Sequence, residues 1–543
     1  MPRFPPSARA GHTIAYKTNL YHSFMNRWYK ISLLILQVAA GAKAQEIQVP
    51  NSLESNLYHD ATQLWRVTDN AAGMSRDSVA KRGSASFDFT HTQGTHYLVQ
   101  DGDKENKLTF MAEAYQPVGK YVYGYGKITF EEGRCFNRSW NDVLRPHHSN
   151  PYFSGSSIPA KYDYQNVLLT ASLASVEINK LTYGLRLDYN VGDLSRLRDP
   201  RSRINLATYA ITPAATYRLG NNTLGLSAHY KRRKEKLIGL STVQTDATMK
   251  YYVYTGMENA TGSLGGYKGY EREYVDHELG AEFSYGYKGR KLESVTSFAY
   301  NTAHEDIYGA NKYMPGKFHR TEMTLASHNI LKTDGGIMHA LDFSVSSRPS
   351  SADEYRQQKE ITIDPETGIS SQYWLTTMKL NKRYEITEYE ADARYRLMWT
   401  DNQQVRSYVG AHISYAYDKD MYHLPDSYLE VGGLDLMLEG GARLCKGKER
   451  SLWAEAGVGY HVSAQANLNL SDATTDYAVN VLMPDMKYWG ADYLQGSLEV
   501  TYQFPLSIRK VKREWFVKAH GNCISTSNST NAWGAGVSLG LFY

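Results

Sequence analysis

The residues of this 543-residue chain with the clearest chemical potential are basic and clustered. "HYKRRKEK" (229–236) sets Lys231, Arg232, Arg233, Lys234 and Lys236 almost side by side. "RLRDPRSR" (196–203), expected in a long loop before it, adds Arg196, Arg198, Arg201 and Arg203. Cations gathered in this way attract phosphates and other anions, and equally serve as a solvated face. A second polar set, Arg186, Asp188, His229, Arg406, His412, Glu499, Lys518 and His520, alternates with apolar neighbours. In "RPHHSNPY" (145–152), His147 and His148 are adjacent, so their side chains point apart. No further ligand follows at metal spacing, and no metal site is expected. Neither catalysis nor a cofactor is implied by these residues.

Composition narrows the class. Tyrosine is abundant, 44 against 15 phenylalanines, and a ring with one apolar and one wet end suits an interface. Hydrophobic residues make up 42% and mean hydropathy is −0.51. Cys135, Cys445 and Cys523 are too few and too scattered for a disulfide framework; three unpaired thiols are expected, with one bridge such as Cys135–Cys445 as the alternative in an oxidising compartment.

The N-terminus reads as an export signal. Arg27 and Lys30 precede the apolar run "ISLLILQVAAG" (31–41), which is too short to span a bilayer. "AKA" (42–44) then places small residues where a signal peptidase reads, making Gln45 the expected mature N-terminus. Met25 is the expected true start, with residues 1–24 a spurious extension. Residues 1–44 hold six Lys/Arg and no Asp/Glu, so their removal takes the formal charge from +4 to −2. Without a basic face, nucleic-acid binding is not expected.

Alternation dominates the rest. "LTYGLRLDYN" puts Leu181, Tyr183, Leu185, Leu187 and Tyr189 on one face and Thr182, Gly184, Arg186 and Asp188 on the other. "TLGLSAHY" (223–230), "VRSYVGAHISYAY" (405–417) and "LQGSLEVTYQF" (494–504) repeat the pattern. A period of two with one apolar face indicates a half-buried strand. The opposite face carries charges, histidines and small residues, as a wet lumen does. Short turns are expected at 116–120, 179–181, 219–222, 288–290, 333–336, 401–404, 446–449 and 506–513. Long connections are expected at 136–161, 236–270 and 347–371. The expected fold is all-β: a closed transmembrane antiparallel barrel of about 18 strands, or alternatively 16, over 81–543. Leu185, Leu187, Leu226, Ile413, Val500 and Leu539 are expected to face lipid.

The chain ends on "WGAGVSLGLFY" (533–543), with Trp533, Val537, Leu539 and Leu541 on one face and small residues on the other. This stretch, closing on the aromatic Tyr543, resembles the C-terminal insertion signal of bacterial outer-membrane proteins. The resemblance implies recognition by the barrel-assembly machinery.

Residues 45–80 do not alternate and are expected to form a plug or a periplasmic helix. "LWRVTDNAAGM" (64–74), followed by a long tyrosine-rich barrel, resembles an uncharacterised Bacteroides-type outer-membrane β-barrel family. "NAAG" (70–73) is also similar to the Asn-Pro-Ala-Gly element of long-chain fatty-acid channels, whose N-terminus plugs the pore. Ala71 replaces the proline, and about 18 strands exceeds that family's usual count.

The expected protein is a channel or transporter for small solutes in the outer membrane of a Gram-negative bacterium. One alternative is a surface receptor, or a structural or assembly partner, acting through long extracellular loops. A second is a fatty-acid-type hydrophobic transporter. The expected surroundings are outer-membrane lipid and lipopolysaccharide, whose phosphates the basic clusters would meet. N-terminal sequencing of membrane-extracted protein should begin at Gln45; a chain that retains residues 31–41 refutes the cleavage.

Overall fold

Strands form where apolar and polar residues alternate, since each then has one greasy and one wet face. The computed structural model describes residues 52–77, 81–144, 150–243, 249–264, 270–447, 450–508 and 511–543. These residues belong to one unit, Asn51–Tyr543. The expected signal peptide with its extension 1–24, the expected cleavage after Ala44, His147 and His148 lie outside the described residues.

The strands run in order β1 (Arg82–Gly94), β2 (Lys104–Pro117), β3 (Val122–Arg138), β4 (Ser154–Ser156), β5 (Ala160–Ser175), β6 (Leu181–Arg196) and β7 (Arg201–Leu219). Then come β8 (Asn222–Ser241), β9 (Lys250–Gly256), β10 (Asn259–Leu264), β11 (Arg272–Lys288), β12 (Leu292–Gly309), β13 (Gly316–Lys332) and β14 (Ile337–Ile363). The last are β15 (Ser370–Asp401), β16 (Gln404–Tyr422), β17 (Ser427–Lys446), β18 (Ser451–Asn469), β19 (Tyr493–Ile508), β20 (Val511–Thr526) and β21 (Asn531–Phe542). Strands β4, β9 and β10 make a small separate sheet; the other eighteen form one sheet. Each of those eighteen pairs antiparallel with the next, and β21 pairs with β1, Leu539 opposite Phe87. The sheet therefore closes, leaving no edge for lipid to strand.

All eight expected short turns fall at one end of this barrel. The expected long connections at 136–161 and 236–270 fall at the other end. The expected connection at 347–371 is instead the continuation of β14 and β15, paired as a ribbon from Glu354–Leu380 to Ile363–Ser370. That stretch has no single apolar face, because both sides of the ribbon meet water. Its strands are held by their own backbone ladder and leave no alternation to read.

The faces follow the alternation. Leu187, Leu226, Ile413, Val537 and Leu539 are exposed on the outside, and Leu185, Leu541 and Val500 are half-buried there. Outward tyrosines bracket this band: Tyr183 and Tyr189 on β6, Tyr209 and Tyr217 on β7. The eight steps from Tyr209 to Tyr217 span roughly 26 Å at about 3.3 Å per residue. That matches an apolar belt about 25 Å tall with aromatic girdles. These four tyrosines thus sit at the edges of the apolar band. Among the described residues no helix is long and apolar enough to cross a membrane; strands make the crossing.

Leu226, 62% exposed, lies near the middle of the outward apolar run of β8. Leu226→Arg should destabilise the barrel by roughly 2–4 kcal/mol, as arginine does near the bilayer midplane. Ala210→Arg, on an inward position beside Asp188, should cost less. Urea unfolding in lipid checks this, and equal costs would reverse the assigned faces.

Candidate functional site

The N-terminal segment lies inside the barrel. Ser52 caps helix α1 (Leu53–Thr62), its hydroxyl accepting from the Ser55 N–H. Two 3₁₀ turns follow, Leu64–Val67 and Ala71–Ser75, the second capped by the Asn70 carboxamide, which accepts from the Ala72 N–H at 3.0 Å. Leu53, Leu57, Tyr58, Ala61, Leu64, Trp65 and Val67 pack on inward-facing Val295, Ile330, Met338, Ala340, Met398, Val405, Tyr408 and Trp453. These wall residues cluster at the short-turn end.

Polar contacts tie the same segment to the wall. Arg82 pairs with Asp60 at 2.9 Å, Arg186 with Asp69 at 2.7 Å, and Arg76 with Glu177. Asn70 Nδ2 donates to the Ala215 carbonyl, Gln503 Nε2 donates to Glu54, and His328 Nε2 meets the Ala61 carbonyl at 2.7 Å. Gly184 is where the 71–75 turn touches β6: a Cβ there would stand 2.1 Å from the Ala72 nitrogen. Any larger residue would push the turn away.

Long connections fill the opposite end. The β4–β9–β10 sheet and residues 470–492, with α2 (Met483–Trp489), pack on inward Tyr274, Ile307, Phe318, Tyr384, Ile386 and Tyr422. From the connections come Trp140, Tyr152, Phe153, Tyr252, Tyr254, Tyr477 and Val481. Tyr274 Oη donates to the Tyr152 carbonyl at 2.8 Å, and Tyr152 Oη to the Asp353 carbonyl at 2.7 Å, so buried hydroxyls are satisfied across the joint.

Between the two fillings lies a polar chamber of about 510 Å³. Arg186, Asp188, His229, Lys231, Glu278 and Glu282 line it. Glu278 is held by His229, Lys231 and Arg320, and Arg186 reaches Asp188 at 2.8 Å as well as Asp69. Of the expected lumen set, the structure brings Arg186, Asp188 and His229 together here. Four of the others face inward elsewhere: Lys518 pairs with Glu499 at 3.2 Å, His520 lies 3.8 Å from Asp88, and His412 bonds Asp392.

Arg406 corrects the expectation. A bulge opposite Trp399 and Thr400 shifts the register of β16, so Val405 is buried inside. Arg406 is left exposed at the short-turn rim, paired with Asp401.

The basic clusters are also divided by the structure. The 229–236 run stays within β8, so Lys231 and Arg233 turn inward while Arg232, Lys234 and Lys236 turn outward. Lys234 and Lys236 meet Glu273, and Arg233 meets Glu235. The 196–203 stretch is no long loop but a tight turn, 197–200, between two strands. Its Asp199 carboxylate accepts from Arg201 and from the Val243 N–H, which closes the turn. Arg196 is buried against Tyr162, Arg198 donates to the Pro159 carbonyl, and Arg203 pairs with Asp193. At the C-terminus Trp533 is exposed outward, and the Tyr543 ring lies at the short-turn rim beside Gly83.

Asp69, Glu278 and Glu282 were not singled out from sequence. Glu278 and Glu282 do sit on the polar face of the alternating run 274–287, the signal that would have found them. Asp69 lies in a turn without periodicity, and nothing local marks it.

Residues 71–543 match the model of a family described as a family of unknown function, DUF6850. The chain belongs to this family. No curated protein matches it. Solved structures similar to this family member include the ferric yersiniabactin uptake receptor FyuA from Yersinia pestis. That likeness has 8% identity and a TM-score of 0.38, covering 84% of this chain and 80% of that one. The FrpB iron transporter from Neisseria meningitidis is 10% identical with a TM-score of 0.37, over 89% of this chain and 82% of that one.

Gly184→Val tests the seating of the N-terminal segment. Overpacking costs roughly 1–3 kcal/mol, so maleimide labelling of an Ala72→Cys probe should rise about tenfold while the barrel stays heat-resistant. Unchanged labelling would mean that the turn does not rest on Gly184.

Proposed function

We propose that this family member is an outer-membrane transporter whose lumen is closed at rest. One observation carries the reading. Residues 52–77 occupy the lumen at the short-turn end, folded connections occupy the other, and a charged chamber is left between them. In this reading the chain is exported, cleaved after Ala44 and inserted by the barrel-assembly machinery with Tyr543 in the recognised strand. Short turns then face the periplasm, and 52–77 acts as a plug entered from that side. The charged chamber favours hydrophilic solutes over fatty acids, because an alkyl chain would desolvate carboxylates and guanidinium groups without pairing them.

A receptor role draws on a different feature. The β14–β15 ribbon continues past the end of neighbouring β16, with Ile361, Ile363, Ile369, Tyr373 and Leu375 exposed. Outward Arg232, Lys234 and Lys236 suit lipopolysaccharide phosphates in the outer leaflet, at the rim where β8 leaves the apolar band.

Planar bilayers test the closed lumen. The full chain should show little conductance. Trp65→Ala removes the ring at the centre of the plug core, a change that typically costs about 3–5 kcal/mol, and should open the barrel in frequent steps. A stable wide pore in the unaltered protein would make it an open channel instead.

A further inference from the structure

Three cavities follow one another inside the barrel, with shared or neighbouring linings. The first, about 280 Å³, lies at the short-turn end between the plug residues Trp65, Asn70 and Met74 and the wall residues Tyr115, Tyr125 and Lys127. The second is the chamber of about 510 Å³. The third, about 550 Å³, lies towards the long connections, among Asp101, Asp103, Glu105, Glu131 and Arg138. The first two share Arg66, Thr68, Asp69, Thr170 and Arg186 as lining. What crosses from plug to wall between them is the Arg186–Asp69 ion pair. The second and third are neighbours on β5: Leu168 lines one and Asn166 the other, about 7 Å apart along the strand. The apolar core under the plug takes up the short-turn end of β12 to β16 and of β18.

We propose that these cavities form a solute path through the barrel, that the Arg186–Asp69 pair is its gate, and that the gate admits small cations before anions. This rests on the closed-transporter reading above.

The pair is built to part. Its side chains are 32% and 57% exposed, so water screens it and its attraction is weak. When Asp69 leaves, Arg186 keeps both hydrogen bonds to Asp188, so no guanidinium is stranded. The preference for cations follows from the count of charges. Asp69 and Asp188 both meet the Arg186 guanidinium, Glu282 stands beside Asp69, and Arg66 on the same boundary is matched by Asp60. Glu282 accepts from the Asp69 N–H at 3.2 Å and from Ser227, and among the described residues it forms no ion pair. A constriction with surplus carboxylate stabilises cations. Two buried acceptors on the chamber wall, Asn190 Oδ1 and Asn301 Oδ1, lack a protein donor and suit an ammonium group or a hydrated ion. An ammonium-bearing solute would take the place of Arg186 at Asp69 and open the gate by exchange.

Planar bilayers under a KCl gradient test this with the full chain, and heat-resistant migration confirms that each variant is folded. Asp69→Ala and Arg186→Gln should each raise conductance several-fold. Their reversal potentials should differ in sign of change: Arg186→Gln becomes the more cation-selective, Asp69→Ala the less. Lys518→Gln, which lines none of the three cavities, should leave the barrel closed. If Trp65→Ala opens the barrel while neither gate variant does, the gate is overturned and the closed-transporter reading stands. Equal reversal potentials in the two gate variants would overturn the selectivity. If Trp65→Ala also stays closed, the plug reading fails, and the gate with it.

Discussion

Everything in this protein depends on one constraint: lipid offers no hydrogen bond to a peptide group. Every N–H and carbonyl in the membrane must find its partner in the sheet, so the sheet must return on itself. The pairing of β21 with β1 meets that demand. Once the ladder is closed, the period of two fixes the faces of every strand. Leu226 meets lipid because Ser227 does not, and the same division of one run sends Lys231 inward and Arg232 outward.

Closure with eighteen strands creates a second problem, a wide interior. The wall does not leave it uniformly wet. Met338, Met398, Val405 and Trp453 face inward at the short-turn end, and Tyr274, Ile307 and Phe318 do so at the other. Apolar residues turned into a water-filled pore would lose the burial that stabilises them, about 25 cal/mol for each Å². The chain covers them with its own segments, α1 and the 3₁₀ turns below and the small sheet with α2 above. Small residues make the joint possible: Gly184, Gly225 and Gly286 let Ala72, Asn70 and Trp65 come against the strands.

The middle of the lumen is governed by charge instead. Burial of a lone ion is costly, and most charges there have partners, as Glu278 has in His229, Lys231 and Arg320. Glu282 departs from this pattern in lying beside Asp69 rather than a cation. The departure lies where plug and wall meet, at the boundary between two cavities.

The sequence by itself determined the barrel. Alternation in runs such as 181–190 and 494–504 set the faces, the short turns set the direction of each hairpin, and the strand number followed from their spacing. These signals are local, so one strand's own residues carry them. Their limits are also local. The ribbon at 354–380 has water on both sides and shows no period, the Asp199–Pro200 turn hid in a basic run, and the bulge at Trp399 reversed Arg406 and Val405. Tertiary structure alone decided the interior. Trp65 shares a core with Val295 and Trp453, Asp69 meets Arg186, and Glu54 meets Gln503, across separations of more than a hundred to more than four hundred residues. No periodicity encodes such contacts, because they depend on which strands closure brings round to face the plug.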